Sequence, residues 1–318
     1  MSKYKGFDAT LALEAALATE QAAIAASYMV GRGDEKAADK AAVDALRTYL
    51  NSMDIDGRVV IGEGERDEAP MLFIGEEVGT KKGPSIDIAL DPLEGTTLTA
   101  KAMPNALAVM AFSPKGQMLY APDVYMDKIA IGPGYAPGLV DLDKSPADNA
   151  KALAKAKGVK LDQLTVCVLD RARHMDIINS LRDAKVRVLL ITDGDVQGVI
   201  NTTDPDTQVD MYIGQGGAPE GVLAAAALQC VGGQMQGRLH FRNDDEVARA
   251  RRTGIDDLDK KYDLNGLAAG PTIFAATGVT SGSLLDGVRI RDGRVSTETL
   301  VMNSVDRSVQ RLRSNRPL

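Results

Sequence analysis

Short apolar runs alternate with helical stretches along the second half of the chain. A chain that alternates strand and helix in this way folds into a parallel sheet with right-handed crossovers. The sequence therefore predicts an α/β protein. The predicted strands cover 165–169, 186–191 and 209–213, and the predicted helices begin near Met175, Val196 and Gly221.

The two ends of the chain supply further helices and strands. Leu13, Leu17, Ile24 and Tyr28 fall near one face of the first predicted helix. Asp292-Gly293 lies between two strand-like runs and predicts a terminal hairpin. The other predicted elements are helices over about 8–30 and 34–50, strands at 58–62, 86–90, 106–112 and 272–276, and a solvated helical excursion within 244–263.

Polar side chains follow five of the predicted strands, at the point where each strand ends. In open α/β sheets, ligands bind outside the carboxyl ends of the strands. Five such clusters are too many to be polar surface residues placed there by chance, so we predict that they belong to one binding site. The clusters are Glu63 with Glu65, Asp91 with Glu94, 170–174, 192–195 and 214–220.

The segment Asp91-Pro92-Leu93-Glu94-Gly95-Thr96 is the most specific of these clusters. Pro92 fixes φ and Gly95 permits a positive φ, so we expect a tight turn directly after the strand. Such a turn aims Asp91 and Glu94 at one point and leaves the Thr96 hydroxyl nearby. Two hard oxygen ligands beside a hydroxyl suit a divalent cation that activates water. For this segment alone, an exposed acidic loop is the alternative.

Carboxylates on other segments extend this candidate metal site. Glu63, Asp91 and Glu94 together suit two hard cations about 3.5–4 Å apart. Asp39, early in the second helix, is either a further ligand or a partner of the helix dipole, and its spacing favours the dipole. Glu220, in the first turn of a later helix, is a dipole-compatible acid or a metal ligand.

The remaining clusters carry candidate substrate contacts. Arg171 and Arg173 form a phosphate clamp or a solvated basic turn. Asp193 and Asp195 accept hydrogen bonds from sugar hydroxyls or cap the next helix. The glycines within 214–217 leave backbone N–H groups free at a helix start, which suits an anion.

Composition and motif searches argue against several classes of function. The net charge of −7 and the pI near 5.1 argue against a nucleic-acid or membrane partner. The chain has no phosphate-cradling kinase loop, and Pro219 breaks the dinucleotide-binding fingerprint. His174 and His240 lack the spacing of a zinc pair, which argues against a zinc hydrolase or a histidine-based triad. We expect His174 to be an ordinary turn residue.

Further features bear on redox state, location and assembly. Cys167 and Cys230 lie in apolar surroundings, which indicates buried thiols and not a disulfide. The N-terminal stretch is neither a signal peptide nor a membrane span, so we expect a cytoplasmic enzyme. The low aromatic content and the C-terminal arginines indicate a homo-oligomer, a dimer or tetramer, although a solvated helix face is the other interpretation of the arginines. These arginines are Arg307, Arg311, Arg313 and Arg316.

With these residues assembled, the chain resembles the class II fructose-1,6-bisphosphatases, which belong to the lithium-sensitive, metal-dependent sugar and inositol phosphatase superfamily. The resemblance runs from about residue 10 to about residue 310. It depends on several long motifs in one order, whereas the Asp91 hexapeptide alone indicates only the superfamily. The motifs are 31–34 with Asp39, 61–65 with 67–70, 91–96, 121–126, 193–195, 216–221 and 275–278.

The resemblance implies a layered αβαβα sugar-phosphatase fold with two sheets. It also implies Mn²⁺- or Mg²⁺-dependent removal of the 1-phosphate from fructose 1,6-bisphosphate, with two or more ions. We expect an N-terminal α+β domain, 1–145, that carries most metal ligands, and a C-terminal α/β domain, 146–318, that contributes substrate contacts and Glu220.

The resemblance also implies roles for individual residues. Asp39 and Glu63 would hold one metal, which replaces the dipole interpretation of Asp39, and these two residues with Thr96 form the catalytic set, in which Thr96 helps to activate the attacking water. A second metal would be held by Asp91, Glu94 and Glu220. The implied substrate contacts are Glu94, Gly95, Thr96, Tyr125, Arg171, Ala172, Arg173, Asp193, Gly194, Asp195 and Gly217. The family often has Lys-Pro-Arg-His at 171–174, and Ala172 loosens the backbone there.

Two alternatives differ from this function. The nearest is a phosphatase of the same architecture that acts on sedoheptulose 1,7-bisphosphate or an inositol phosphate, or on both bisphosphates. The other is a non-catalytic, metal-dependent sugar-phosphate sensor. The Thr96 hydroxyl argues against a sensor, because binding a phosphate does not require a group that activates water.

Overall fold

The computed structural model describes residues 6–64 and 71–318, and the chain folds into two compact units. The first unit is Met1–Leu119 with Ala268–Leu318, and the second is Tyr120–Leu267. This division differs from the expected boundary between 145 and 146. The C-terminal strands pair with strands of the N-terminal half, so the chain returns to the first unit after residue 267.

The helices and strands follow one another through both units. The helices are α1 (Ala9–Ser27), α2 (Glu35–Ser52), α3 (Thr96–Ala100), α4 (Pro146–Lys157), α5 (Met175–Asp183), α6 (Asp195–Ile200), α7 (Ala218–Val231), α8 (Asp244–Arg252) and α9 (Leu264–Leu267). The strands are β1 (Asp56–Ile61), β2 (Glu77–Val78), β3 (Ser85–Glu94), β4 (Leu107–Pro114), β5 (Tyr125–Ile131), β6 (Thr165–Leu169), β7 (Arg187–Ile191), β8 (Met211–Gly217), β9 (Gln234–His240), β10 (Lys261–Asp263), β11 (Ile273–Gly278), β12 (Arg289–Arg291), β13 (Arg294–Asn303) and β14 (Ser308–Pro317).

The first unit is built on an eight-stranded sheet. The strand order is β12-β13-β11-β4-β3-β1-β2, and β14 also pairs with β13. β1 and β3 are parallel, whereas β3, β4, β11 and β13 form antiparallel pairs in that order. Because β1 and β3 are parallel, their carboxyl ends meet at one edge of the sheet, where the predicted carboxylates lie.

Alanine forms the buried face of α1. Ala18, Ala22 and Ala26 are fully buried, while Leu13 is 51% exposed and Tyr28 is 48% exposed. The small side chains allow α1 to lie close to α2, β11 and β13. The large apolar residues predicted to share one face of α1, such as Leu13, therefore do not form the face that packs against the sheet.

Three threonine hydroxyls connect α1 to this sheet inside the core. Thr277 Oγ1 on β11 lies 2.8 Å from Thr19 Oγ1 on α1 and 2.8 Å from Thr299 Oγ1 on β13. The Thr19 hydroxyl also donates to the Ala16 carbonyl. Since all three threonines are buried, these bonds satisfy polar groups that water does not reach.

The second unit is built on a six-stranded sheet in the order β10-β9-β5-β8-β6-β7. β6 is parallel to both β7 and β8, and α5, α6 and α7 follow these three strands in sequence. β5 and β9 add antiparallel partners. The predicted strand–helix alternation and the predicted α/β class with two sheets are confirmed.

The C-terminal segment confirms one prediction and corrects another. β12 and β13 form the predicted hairpin, in which both Asp292 and Gly293 have positive φ, as a two-residue turn between strands requires. Arg311, Arg313 and Arg316 lie on strand β14, so the interpretation of these arginines as a helix face is wrong.

Two further expectations have structural counterparts. Cys167 and Cys230 are free and buried, as predicted, and burial raises the pKa of the Cys167 thiol to about 12. Within the described part of the chain, no helix combines the length and the apolar content that crossing a bilayer requires.

We expect the substitution Thr277→Val to lower the free energy of unfolding by about 1–3 kcal/mol. Valine keeps the shape but leaves the buried Thr299 hydroxyl without its partner. Urea unfolding measures this change. Thr10→Val, at an exposed position of α1, is the control, and equal stability of the two variants would contradict a role for the buried hydroxyls.

Candidate functional site

Strand β3 continues into the hexapeptide 91–96 as far as Glu94 and bulges at its end. Asp91 lies opposite Val109 and Glu94 lies opposite Leu107, so three steps along β3 match two along β4. The extra residue bends the strand, which is typical of a β-bulge. Asp91 Oδ1 accepts a hydrogen bond from the Leu93 N–H at 3.0 Å within the bulge. The turn expected directly after residue 90 is therefore wrong, because the strand reaches Glu94 before the chain turns.

The bulge brings the carboxylates of Asp91 and Glu94 together. A ligand oxygen of Asp91 lies within 4.8 Å of one of Glu94. Glu94 is buried and Asp91 is half-buried. Two carboxylates this close repel each other unless a cation or a proton intervenes. Paired carboxylate oxygens are also the donors that Mg²⁺ and Mn²⁺ prefer, so this part of the predicted metal site fits a divalent cation.

Gly95 makes the turn that places Thr96. Gly95 has φ 92° and ψ 53°, a left-handed conformation. A Cβ atom at this position would lie 2.8 Å from Leu98 Cδ1, so the turn also leaves no room for a side chain. Thr96 is the first residue of α3 and is half-buried. The Thr96 hydroxyl therefore starts from a fixed backbone two residues beyond Glu94.

The loop between α1 and α2 holds α3 in place. The Gly31 N–H donates to the Thr99 carbonyl and the Gly33 N–H donates to the Ala100 carbonyl, both at 2.9 Å. These bonds satisfy carbonyls at the C-terminal end of a short helix. They give the Gly31–Gly33 motif a structural role beside the end of the hexapeptide.

Asp39 lies on α2, which packs against β3 and α3. Its carboxylate is half-buried, and this burial raises its pKa. Burial disfavours the charged form, and a nearby cation would reverse that effect. The environment of Asp39 is thus compatible with the predicted ligand role.

Glu63 follows β1 at the edge where β3 also ends. Its backbone N–H donates to the Leu72 carbonyl at 3.0 Å, and a Cβ atom at Gly62 would lie 2.1 Å from that carbonyl oxygen. Among the residues that the structure describes, Asp39 and Glu63 belong to no group of three metal-ligating side chains with ligand atoms within 4.8 Å of one another. Their shared metal stays a prediction. Glu65 and the motif residues 67–70 lie outside the described residues.

In the second unit, the ring of Tyr125 contacts two guanidinium groups. The Arg173 Cζ atom lies 4.8 Å from the ring centroid, and the Arg242 Cζ atom lies 4.7 Å from it. Arg173 Nη2 also donates to the Gln215 carbonyl at 2.8 Å. The structure thus brings two predicted substrate contacts, Tyr125 and Arg173, together. Arg242, which sequence reasoning missed, lies just beyond the end of β9 and is detectable as a basic residue after a strand.

The neighbours of Arg173 differ in accessibility. Arg171 is half-buried and its Nη1 donates to the Asp170 carbonyl, while Ala172 is exposed. His174 is buried: its Nδ1 lies 2.8 Å from the Leu169 carbonyl, and its Nε2 accepts the Gln215 N–H at 2.8 Å. These partners assign the proton to Nδ1. Burial lowers the pKa of His174, so the ring is neutral near pH 7 and ties β6 to β8.

A buried ion pair links three elements that carry predicted substrate contacts. Lys128 Nζ on β5 lies 2.5 Å from Asp195 Oδ2 at the start of α6 and donates to the Gly217 carbonyl at 2.7 Å. The two charged side chains are 1% and 6% exposed. A Cβ atom at Gly216 would lie 1.9 Å from Asp195 Oδ2, so only glycine leaves space for the pair. Sequence reasoning missed Lys128, because Asp127 and Lys128 are two adjacent charged residues in a strand and nothing in the sequence marks which of them is buried.

Asp193 and Gly194 directly precede Asp195 in the chain. Asp193 is half-buried, and its Oδ1 accepts the Gly194 N–H at 3.1 Å. Gly194 adopts a left-handed conformation, with φ 82° and ψ 56°, immediately before α6. The carboxylate of Asp195 faces Lys128, so its proposed contact with a sugar hydroxyl stays a prediction.

Gly217 and Glu220 start α7. Gly217 is the residue before the helix, Pro219 occupies its first turn, and Glu220 follows, half-buried. A Cβ atom at Gly217 would lie 1.9 Å from Glu220 Oε2, so the Glu220 side chain folds back over the backbone of Gly217.

We expect Lys128→Met to lower the free energy of unfolding by about 3–5 kcal/mol, because it leaves the Asp195 carboxylate buried without its cation. Adding Asp195→Asn should recover part of this loss, since the second variant removes the buried charge. Urea unfolding measures both.

The control is Lys151→Met, which breaks an exposed lysine–aspartate pair of similar length and should leave stability unchanged. If Lys128→Met unfolded at the wild-type urea concentration, the ion pair would not hold these elements together.

Comparison with known proteins identifies the family. A family model described as bacterial fructose-1,6-bisphosphatase, glpX-encoded, matches residues 9–316. Fructose-1,6-bisphosphatase 1 class 2 of Escherichia coli (strain K12) is 46% identical over 318 aligned positions, which cover 96% of this chain and 94% of that protein. D-fructose 1,6-bisphosphatase class 2/sedoheptulose 1,7-bisphosphatase of Synechococcus sp. (strain JA-2-3B'a(2-13)) is 45% identical, over 95% of this chain and 94% of that protein.

A solved structure, the inositol monophosphatase from Anabaena (Nostoc) sp. PCC 7120, matches 60% of this chain and 71% of that chain. The TM-score of this match is 0.30 and the sequence identity is 17%. The family model, in contrast, spans almost the whole sequence, and the curated relatives align along nearly their full length. The chain therefore belongs to the bacterial, glpX-encoded class 2 fructose-1,6-bisphosphatase family.

Proposed function

We propose that this chain is a phosphatase that hydrolyses the 1-phosphate of fructose 1,6-bisphosphate and releases fructose 6-phosphate and phosphate. The observation that carries the proposal is the bulged end of β3, where the carboxylates of Asp91 and Glu94 lie together and Thr96 follows Glu94 by two residues. Membership of a fructose-1,6-bisphosphatase family supports the choice of substrate.

The proposed cofactor is Mn²⁺ or Mg²⁺, with two or more ions. Asp39 and Glu63 would hold one ion, and Asp91, Glu94 and Glu220 would hold another. When bound, such cations activate water and neutralise the charge on the phosphate oxygens. The donors are all carboxylates, which agrees with a hard cation and argues against zinc held by histidine or thiolate.

The residues of the chain would orient the reaction. Thr96 Oγ1 accepts a hydrogen bond from the attacking water and so aims the water's lone pair at phosphorus, in line with the leaving C1 oxygen. Glu94, Gly95 and Thr96 would contact the reacting phosphate. No covalent intermediate on the protein is needed.

Residues of the second unit would bind the rest of the substrate. Arg171 and Arg173, with Ala172 between them, offer guanidinium groups for phosphate oxygens. Tyr125 supplies an aromatic face beside Arg173. The sugar hydroxyls would be bound by 193–195 and the backbone of Gly217. The buried Lys128 pairs with Asp195 and donates to the Gly217 carbonyl, which supports a pre-formed surface.

Sedoheptulose 1,7-bisphosphate is a second candidate substrate. The Synechococcus relative carries both activities in its name and is almost as similar to this chain as the E. coli relative. We therefore propose that a dual specificity is the first alternative to test. A cytoplasmic location and a homo-oligomer, a dimer or tetramer, also stay predictions.

Phosphate release tests the proposed reaction. We expect Mn²⁺ or Mg²⁺ to support release from fructose 1,6-bisphosphate, and EDTA to abolish it, because the carboxylates alone cannot neutralise the phosphate. Sedoheptulose 1,7-bisphosphate and inositol 1-phosphate run in parallel. Asp91→Asn should remove the metal-dependent activity while urea unfolding stays cooperative. Binding of the bisphosphates without any release would identify a sensor and contradict the proposal.

Thr96→Val should lower kcat by roughly 10²-fold, in the range of a positioned acid–base group, with little change in KM. Thr96→Ser keeps the hydroxyl and should retain most of the activity. Steady-state kinetics with saturating metal measure both variants. An effect of Thr96→Val on KM alone would mean that the hydroxyl binds substrate and does not orient water.

A further inference from the structure

Arg242 and Arg173 place two guanidinium groups on one aromatic ring. Both Cζ atoms lie within 5 Å of the Tyr125 ring centroid, at 4.7 and 4.8 Å. The two arginines come from different segments, one after β9 and one from the short turn after β6. Each guanidinium gains a cation–π contact, but the two positive charges repel each other. A stack of this kind suits an anion that both cations attract.

The acidic groups around this stack neutralise it only in part. Glu246 pairs with Arg242 and lies 3.9 Å from Arg249. Arg173 donates instead to a neutral group, the Gln215 carbonyl. Within the residues that the structure describes, neither Arg171 nor Arg173 pairs with a carboxylate. In a chain with net charge −7, this concentration of arginine is the local positive charge that a phosphate requires.

Glu246 fixes the orientation of Arg242. Glu246 is 1% exposed and lies in the first turn of α8, whose preceding residue, Asn243, caps the helix. Its Oε2 accepts the Arg242 backbone N–H at 2.7 Å, and its Oε1 accepts Arg242 Nε at 2.6 Å and pairs with Nη2. One buried carboxylate therefore holds both the backbone and the side chain of Arg242.

The contacts of Arg242 leave part of its guanidinium available. The Arg242 side chain is 53% exposed, so solvent and solutes reach it. Glu246 contacts Nε and Nη2. No residue in the described ranges accepts a hydrogen bond from Arg242 Nη1, which thus keeps two N–H donors for an external acceptor. Paired N–H donors on a planar guanidinium match the oxygens of a phosphate.

We propose that Arg242 binds the phosphate of the substrate that is not hydrolysed, together with Arg173 across the Tyr125 ring, and that Glu246 is its positioning residue. This inference rests on the proposed function. A sugar bisphosphate carries two separate dianionic phosphates, and each of them needs positively charged groups to bind it. The Tyr125 stack offers guanidinium groups directly to one of these dianions.

Removing the distal phosphate from the substrate tests the proposal. Arg242→Gln should lower kcat/KM for fructose 1,6-bisphosphate by roughly 10- to 100-fold, mainly through KM, because a charge-assisted hydrogen bond to phosphate is lost. The same variant should leave kcat/KM for fructose 1-phosphate unchanged, because that ester lacks the distal phosphate. Arg242→Lys keeps the charge without the planar fork and should fall between. The control is Arg182→Gln, an exposed arginine on α5.

Equal losses on both esters would overturn the proposal, since they would show a general effect on folding or on the reacting phosphate. No loss on either ester would overturn it as well. Calorimetric binding of fructose 6-phosphate, which carries only the distal phosphate, separates this inference from the proposed reaction. If the wild type released no phosphate, weaker binding by Arg242→Gln would still support the subsite, and unchanged binding would refute it.

Glu246→Gln tests the positioning role. The variant should raise KM for fructose 1,6-bisphosphate several-fold and leave kcat unchanged. The double variant with Arg242→Gln should be no weaker than Arg242→Gln alone, because both changes act on one contact. Additive losses would show that Glu246 acts independently of Arg242 and would refute its role as a positioning residue.

Discussion

The repulsion between two carboxylates at the end of one strand is the constraint around which the first unit is organised. Their ligand oxygens lie within 4.8 Å of one another, and at that limit two unit charges in a protein environment of effective dielectric constant about 20 repel by ~3.5 kcal/mol. The chain maintains this arrangement with rigid parts: a bulge paired to β4, a left-handed glycine, and a short helix held by backbone bonds from the preceding loop. A cation that binds there finds its ligands already in position, so little ordering entropy opposes binding.

In the second unit, glycines leave the space that buried polar side chains occupy. At the end of β8, a Cβ atom on Gly216 would collide with Asp195, and one on Gly217 would collide with Glu220. Gly214, with φ 158°, lies against the buried ring of His174. The glycine run thus makes room for two carboxylates and an imidazole. From sequence alone, a glycine-rich stretch before a helix suggests an anion-binding site. These contacts show that the same glycines also leave space for neighbouring side chains.

Sequence reasoning succeeded where one local period or one turn determines the structure. The alternation that contains β6, β7 and β8 and the Asp292-Gly293 hairpin are of this kind. Sequence reasoning failed where the local structure depends on a residue or strand that is distant in sequence. The bulge after Asp91 depends on the register of β4. The buried face of α1 consists of alanines because β11 and β13, which come from the other end of the chain, pack closely against it. The role of Lys128 as one half of a buried ion pair depends on Asp195, which lies 67 residues later in the chain.

The return of the C-terminal strands has a consequence for synthesis on the ribosome. The second unit is one continuous segment, Tyr120–Leu267, and all strands of its sheet are available once that segment has emerged. The first sheet has β11 between β4 and β13, so β4 exposes an unpaired apolar edge until β11 has been made. During translation the second unit can therefore complete its fold first. The first unit, which carries Asp91 and Glu94, completes its fold last.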